Sequence, residues 1–497
     1  MYVIRALSFF FLLAAASLTT LQYVHFSREQ TRLPAGSSIA AVPAGGVDRR
    51  QAAQRLEQVY SMPVELRYAG APILLNPAVV GFQLDLDQML AAYEQAPAHS
   101  PGWRDFWDYL EGHTADPVEI PLTATYSEAR LQVYLEEIAS IYDTPPSAAM
   151  PVAGSVDFTP GRAGSLLDVD KAAALVERAL HSTTNRSVDL PVIHTKPPRP
   201  AFKNLEILLK QLIKLSGYDG LVGIYVLDLQ TARELHFAYL LGQDIPVKPD
   251  IAFSASSIIK IPVMVTAFRR IENQPDEETL KLLGDMIFRS GNEAADWLME
   301  RVMDPNLGPI LVSEDMQSLG LENTFLAGKF TAGSPLLVRY ETPANQRPDV
   351  QTDPDSYNQT TPSEIGMLLA DIYQCAQFDG GTFRAAFALP NTAEAELTET
   401  ITQAECRMMI DLLVKNKLPS LLTAGLPDGT PIAHKHGWAG TGGVINTVGD
   451  AGIIFSPRGD YVLVIFLHQP VQVVWEPASL LIARLSQAVY NYYNIAQ

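Results

Sequence analysis

The chain has 497 residues, of which 47% are hydrophobic and 18% charged. That balance excludes a disordered polymer and calls for two or three domains with substantial cores. Its 36 basic and 55 acidic residues leave a net charge of −19, a field that repels nucleic acid and argues against broad binding to anionic membranes.

In chain order, Arg5 is followed by Ala6–Ser27, which contains no Asp, Glu, Lys or Arg. Roughly 20 apolar residues span a bilayer core, so residues 1–31 read as a signal-anchor helix or a signal peptide. Ala14-Ala15-Ala16 offers a cleavage site in the second case. Either way the remainder is expected outside the cytoplasm, secreted or anchored. Residues 32–51, small and Pro/Gly-containing, read as a flexible linker.

An internal repeat comes next. Gly81-Phe82-Gln83-Leu84-Asp85-Leu86-Asp87 recurs as Gly164-Ser165-Leu166-Leu167-Asp168-Val169-Asp170, an offset of 164 − 81 = 83 residues. Upstream, Leu56-Glu57, Tyr60 and Pro63 are echoed by Leu135-Glu136, Tyr142 and Pro145. Each copy runs from a helical pattern through a strand to a glycine turn, then into a helix capped by aspartate. Residues 52–197 are therefore expected to hold two small α+β modules. The proline-rich stretch Val192–Pro200 suits a stiff linker.

The last 300 residues read as one domain, 198–497. Ala201–Ser216 is an amphipathic helix; Val222–Leu229 and Glu234–Tyr239 form a hairpin; helices fill the middle. Ile432–Trp438, Thr447–Phe455 and Tyr461–His468 are strands, and Ala478–Tyr493 is a closing helix. Strands at both ends with helices between them predict an antiparallel sheet carrying helices on its faces. The two cysteines, Cys375 and Cys406, lie on neighbouring helical patterns on either side of Gly380-Gly381. In an oxidising compartment they are expected to pair.

Three short strings carry the chemistry. Ser257-Ile258-Ile259-Lys260 opens a helical run, and its i, i+3 spacing puts the lysine on the serine's face. A lysine desolvated there can lose its proton near neutral pH and take the serine's proton. Taken alone, a serine before a helix is an ordinary cap. Ser290-Gly291-Asn292 offers a second hydroxyl to relay a proton and an amide to hold substrate and Lys260. Taken alone it is a turn, and Ser356-Tyr357-Asn358 repeats the pattern. Lys435-His436-Gly437 sits in a strand pattern where a cation and a hydrogen-bond donor can meet a carboxylate. Glycine permits close approach, and the Trp438 N–H can join that of Ser257 in an oxyanion hole. The competing use of His434 and His436 as a metal pair lacks a third ligand cluster among nine histidines. No metal or cofactor is expected.

Together the strings resemble S-x-x-K, S-D-N and K-T-G, the set shared by class A β-lactamases and penicillin-binding proteins. Thr360-Thr361-Pro362, opening a helix after an irregular stretch, resembles the end of that family's Ω loop. His436-Gly437-Trp438-Ala439-Gly440-Thr441-Gly442 leading into Gly449-Asp450-Ala451-Gly452-Ile453-Ile454 resembles its third and fourth strands. The repeats resemble tandem peptidoglycan-binding modules; the other reading of the same residues is a spacer that holds the next domain off the membrane. The fold class implied is α+β multidomain, with a five-stranded antiparallel sheet flanked by helices and a helical subdomain inserted. The activity implied is a serine hydrolase that opens a β-lactam amide through an acyl-serine intermediate, with the N-terminal modules on the cell wall. The alternatives are a D-Ala-D-Ala peptidase acting on peptidoglycan stem peptides and a wall-binding protein whose catalytic domain has decayed.

The resemblance assigns catalysis to Ser257, Lys260, Ser290 and Glu341, and substrate binding to Asn292, Lys435, His436, Gly437 and Trp438. It also has departures. Gly291 stands where aspartate is usual and His436 where Thr or Ser is usual. The interval from Ser257 to Ser290, 290 − 257 = 33 residues, is short, which implies a missing cleft wall. Arg339-Tyr340-Glu341 with Asn345 reproduces the spacing around the family's deacylating glutamate, but Thr342 follows where proline is expected. Glu364 reads as a capping-box partner of Thr361, and Asp353 and Asp355 stay open as further carboxylates.

Overall fold

The computed structural model describes residues 2–29, 32–95, 103–113, 116–271, 274–378, 383, 401–441 and 443–495. Gly380-Gly381 and Gly442 lie outside the described residues. The chain divides into two compact units, residues 1–147 with 163–197, and residues 148–162 with 198–497.

In the first unit both copies lead from a strand into an aspartate-capped helix, but only the first has a glycine turn: Gly81 has φ 69°, while Gly164 opens the strand Gly164–Leu167. Asp85 accepts a hydrogen bond from the Gln88 N–H (2.9 Å) to cap the helix Leu86–Gln95. Asp168 accepts from the Lys171 N–H (3.2 Å) to cap Val169–Leu180. The upstream echoes fall on the helices Arg49–Tyr60 and Glu128–Tyr142, with Pro63 and Pro145 three residues beyond each. The two copies do not bury separate cores. Strand Ser187–Asp189 of the second pairs in parallel with Val64–Tyr68 of the first, and Gln83–Leu84 pairs with Ala124–Thr125. Leu56, Val64 and Leu66 then pack in one cluster with Leu131, Leu135 and Val176.

Two linker readings change. Within residues 32–51, Ser38–Ile39 and Val42–Pro43 pair as a small hairpin. Ile39, Val42 and Val47 are buried in the same core, and the Tyr60 hydroxyl donates to Ala40 O (2.9 Å). Apolar side chains sparse enough to look like linker composition are sufficient to tie this segment down. Val192–Pro200 begins as strand Val192–Thr195, paired with Gly164–Leu167.

The second unit is organised by an antiparallel sheet in the order Gln243–Ile245, Glu234–Leu240, Leu221–Asp228, Tyr461–His468, Val444–Ile454, Ile432–Thr441. Five strands correspond to those read from the sequence. The sixth, Gln243–Ile245, is a three-residue edge reached through Leu241-Gly242, both at positive φ (48° and 88°), the conformation of a tight hairpin turn. Period-two alternation fills both faces. Val462, Val464 and Phe466 pack toward the helices Lys260–Arg270, Pro362–Gln377 and Gln403–Val414. Tyr461, Leu463, Ile465 and Leu467 pack toward Phe202–Ser216 and Trp475–Tyr493. Sequence-distant ends of the unit thus meet at the sheet's centre, where Leu221–Asp228 pairs with Tyr461–His468. A disulfide joins Cys375 to Cys406, bridging Pro362–Gln377 and Gln403–Val414.

Candidate active site

Ser257 lies in a single 3-10 turn, Ser256–Ile259, that feeds directly into the helix Lys260–Arg270. The turn is entered through Ser256 at φ +52°, a left-handed conformation costly for a residue with a side chain. What holds it is the Asn358 side chain, whose Oδ1 accepts the Ser256 N–H at 2.6 Å. Asp355 accepts in turn from Asn358 Nδ2 (3.1 Å). Burial raises the Asp355 carboxyl, against the lowering effect of the Tyr357 N–H and of Asn358. The rival Ser-x-Asn string therefore serves as a brace behind the serine turn.

Lys260 is fully buried, while Ser257 is half-exposed. The Lys260 amine lies 3.0 Å from Ser257 Oγ, 2.7 Å from the Ser290 carbonyl oxygen, 2.8 Å from Asn292 Oδ1 and 3.5 Å from Ser290 Oγ. Burial, and then the positive charge of Lys435, bring its pKa down to about 7, against a weaker pull upward from Asp296. The partner set fixes what a neutral amine does here. A carbonyl and an amide oxygen only accept, so they take its two N–H bonds. The lone pair is left for Ser257, the one close partner with a proton to give.

Ser290 (φ +55°) and the Gly291 cap lead into the helix Asn292–Val302. On the opposite side, the Lys435 amine donates to Ser290 Oγ (2.9 Å) and to its neighbour's carbonyl, His436 O (3.1 Å). Burial lowers its pKa to about 8, opposed by Asp450. Ser290 Oγ thus sits between two lysines, able to accept from both and pass its own proton outward.

Gly437 explains how the strand reaches the serine. A Cβ there would lie 2.8 Å from Ser257 N, 3.0 Å from Ala255 O and 3.0 Å from the Ser256 Cβ. Only glycine allows this approach without moving the turn.

His436 is buried, and its ring stacks on the half-exposed Trp438 (5.4 Å, 15°). Burial first, then Lys435, hold its pKa down to about 4, so the ring is neutral at pH 7. Its tautomer follows from Asn416. That side-chain amide donates to His434 O (3.1 Å), which orients its NH₂, and the same nitrogen lies 3.3 Å from His436 Nδ1. Nδ1 is then an acceptor and Nε2 carries the proton, leaving a neutral N–H donor at the position of the usual hydroxyl. The paired-histidine metal reading finds no support in these partners. His434 Nδ1 lies 2.9 Å from the buried Asp450 Oδ1, and Nε2 3.4 Å from the half-buried Thr423 Oγ1. Burial acts to raise the Asp450 carboxyl, but His434, with His436 and the Leu422 N–H, holds it below its usual range.

One carboxylate reading gains no contact at the site, and a second changes. Glu341 is exposed, and among the described residues no hydrogen bond links it to Ser257, Lys260, Ser290 or Asn292. Its loop closes on itself instead: the Thr342 N–H donates to Asn345 Oδ1 (3.0 Å), and Asn345 Nδ2 to Tyr340 O (3.1 Å). Glu364 supplies its N–H to the Thr361 cap, but its carboxylate does not complete a capping box. It accepts from the Asn323 N–H, Asn323 Nδ2 and the Thr324 hydroxyl (2.6–2.9 Å for the shortest three contacts). Asn416, Asn358 and Asp450 are hard to read from the sequence because the contacts that define them here, to His436, Ser256 and His434, are with residues well separated in the chain. Gly449-Asp450 alone carries a signal, as part of the strand pattern.

Residues 394–493 match the family model of the "Beta-lactamase enzyme family". Residues 106–189 match the model described as "Putative peptidoglycan binding domain". The resemblance drawn from the motifs and from the repeat thus has family-model matches in both units. No curated protein matches the chain. Among solved structures, one titled PBP-A is 22% identical, covering 60% of this chain and 99% of its own at a TM-score of 0.41. A class A β-lactamase from Bacteroides cellulosilyticus is 18% identical over 59% of this chain and 98% of its own (TM-score 0.41). A β-lactamase from Desulfarculus baarsii is 15% identical over 60% and 100% (TM-score 0.42).

Proposed function

We propose that the second unit is a serine acyl-transferring hydrolase of the β-lactamase type, with a β-lactam amide as the bond it opens. The observation that carries this reading is the buried Lys260 amine, poised near neutrality with its lone pair left for Ser257. Neutral Lys260 takes the Ser257 proton as Oγ bonds to the lactam carbonyl carbon. The Ser257 and Trp438 N–H groups hold the oxyanion. Collapse breaks the C–N bond, and Ser290 gives its proton to the departing nitrogen while recovering one from the Lys260 ammonium. Lys260 returns to neutral and the acyl group stays on Ser257. Lys435 and the His436 Nε2–H bind the substrate carboxylate, and Asn292 lines the cleft. The match of residues 394–493 to the β-lactamase model supports the same reading.

A second reading, a peptidase for D-Ala-D-Ala-like stem peptides, is favoured by one specific observation. Glu341, the carboxylate whose spacing suggests deacylation, is exposed and among the described residues makes no hydrogen bond to the serine cluster. The match of residues 106–189 to a peptidoglycan-binding model agrees with a wall substrate.

One experiment separates these readings. The protein is exposed to benzylpenicillin and followed by intact-mass spectrometry, with nitrocefin turnover measured in parallel. The β-lactamase reading expects a covalent adduct mapped to Ser257 that decays with nitrocefin hydrolysis. The peptidase reading expects a persistent adduct, with D-alanine released from stem peptides. No adduct at all refutes both.

A further inference from the structure

The helix Tyr2–Glu29 carries one stretch, Leu7–Arg28, of 22 residues that is long and apolar enough to cross a membrane. At 1.5 Å per residue that is ~33 Å, against a hydrocarbon core of roughly 30 Å. Its C-terminal third is not a detachable tail. Phe26 is only 4% exposed, with its ring 5.5 Å from Phe106 and 5.3 Å from Tyr109; Tyr23 lies 5.5 Å from Phe106 and 6.4 Å from Trp103. These partners belong to the short helix Trp103–Leu110.

That helix has more apolar surface than this contact uses. At 100° per residue, Trp103, Trp107 and Leu110 fall within an arc of about 60°, with Arg104 and Asp108 about 90° and 130° from its centre. Phe106 is 1% exposed, whereas Trp103 and Trp107 are 70% and 60% exposed. The exposed aromatic face adjoins Tyr23, and through it the bare apolar side chains of Leu18, Leu21 and Val24. Tryptophan and tyrosine gathered at one end of a membrane-length apolar helix, with polar residues on the far side, match the chemistry of a lipid headgroup boundary. A cleaved signal segment has no need of side-chain complementarity to the domain it leaves behind.

We infer that Leu7–Arg28 is retained as a membrane anchor and that Trp103–Leu110 lies in the lipid interface beside its C-terminal end, with Trp103 and Trp107 facing lipid. This inference is independent of the acyl-serine reading. The test uses the full chain in phosphatidylcholine–phosphatidylglycerol vesicles, with Trp297, Trp438 and Trp475 changed to Phe so that Trp103 and Trp107 report alone. The expected result is strong quenching by lipids brominated near the headgroup, weaker quenching by lipids brominated near the bilayer centre, and protection from aqueous iodide. Iodide quenching as free in vesicles as for tryptophan in water overturns the proposal. So does protection that persists in detergent and grows with protein concentration, which marks a second copy as the occupant. The starting residue of the unaltered protein, read by mass spectrometry from membranes, is a check that needs no variant. A chain beginning before Leu7 is expected, and one beginning after Ala16 overturns the anchor.

Discussion

If neutral Lys260 is the base, acylation of Ser257 must follow the titration of that amine. With a pKa of about 7, roughly a tenth of the amine is neutral at pH 6, half at pH 7 and nine-tenths at pH 8. A lysine at its ordinary 10.5 is neutral in only ~0.03% of molecules at pH 7, so the shift is worth about a thousandfold in competent enzyme. Lys435, at about 8, loses its charge as pH rises and weakens carboxylate binding, giving the descending limb. Acylation is therefore expected to peak between pH 7 and 8. The perturbation is Lys435→Met. It removes the charge that, after burial, does most to lower Lys260, so the ascending limb moves to higher pH and the descending limb disappears. Stopped-flow acylation by a fluorescent penicillin from pH 5 to 9.5 measures both limbs. An ascending limb near pH 4–5 points to a carboxylate base, and a limb that moves downward in Lys435→Met refutes the coupling. Stability carries the same sign: the folded pKa of Lys260 lies below the unfolded value, so the unfolded chain holds an extra proton between about pH 7 and 10.5. Across that window Lys260 makes stability rise with pH.

Gly437→Ala forces a Cβ against Ser257 N and Ala255 O, and is expected to cut acylation by about 10²–10³-fold through a displaced oxyanion donor, read as kcat/KM on nitrocefin. Asn416→Leu removes the group that fixes the His436 tautomer; KM for a carboxylate-bearing substrate should rise roughly tenfold with kcat nearly unchanged. The ¹⁵N shifts of His436 should show a mixed tautomer, and in a His436→Thr background the Asn416 change should have no further effect. Glu341→Gln should alter acylation and adduct decay by less than about twofold; a large slowing of decay would restore it as the deacylating base. Changing Cys375 and Cys406 together to Ala should lower unfolding free energy by about 3–4 kcal/mol, from closure of a 31-residue separation, measured by urea denaturation.

The sequence was legible where chemistry and periodicity are local. Ser257 and Lys260 sit one turn apart, the strands Tyr461–His468 and Glu234–Leu240 show their alternation, and Thr361 announces a helix. It was illegible where a residue is defined by a distant partner. Asn358 looks like part of a loop until its amide is seen bracing Ser256, and Asn416 is an anonymous polar residue until it meets His436. Spacing along the chain likewise says nothing about which way the Glu341 loop folds. The Ile39–Val42 hairpin looks like linker in the sequence because a few buried apolar residues among small ones leave little periodic signal.

The central claim is that three separate segments meet around one activated hydroxyl, and a crystal structure of the benzylpenicillin-treated protein tests it most directly. The account predicts density continuous with Ser257 Oγ, the acyl oxygen between the Ser257 and Trp438 N–H groups, and the carboxylate on Lys435 and His436 Nε2. An adduct on another residue, or a carboxylate turned away from Lys435, would contradict it.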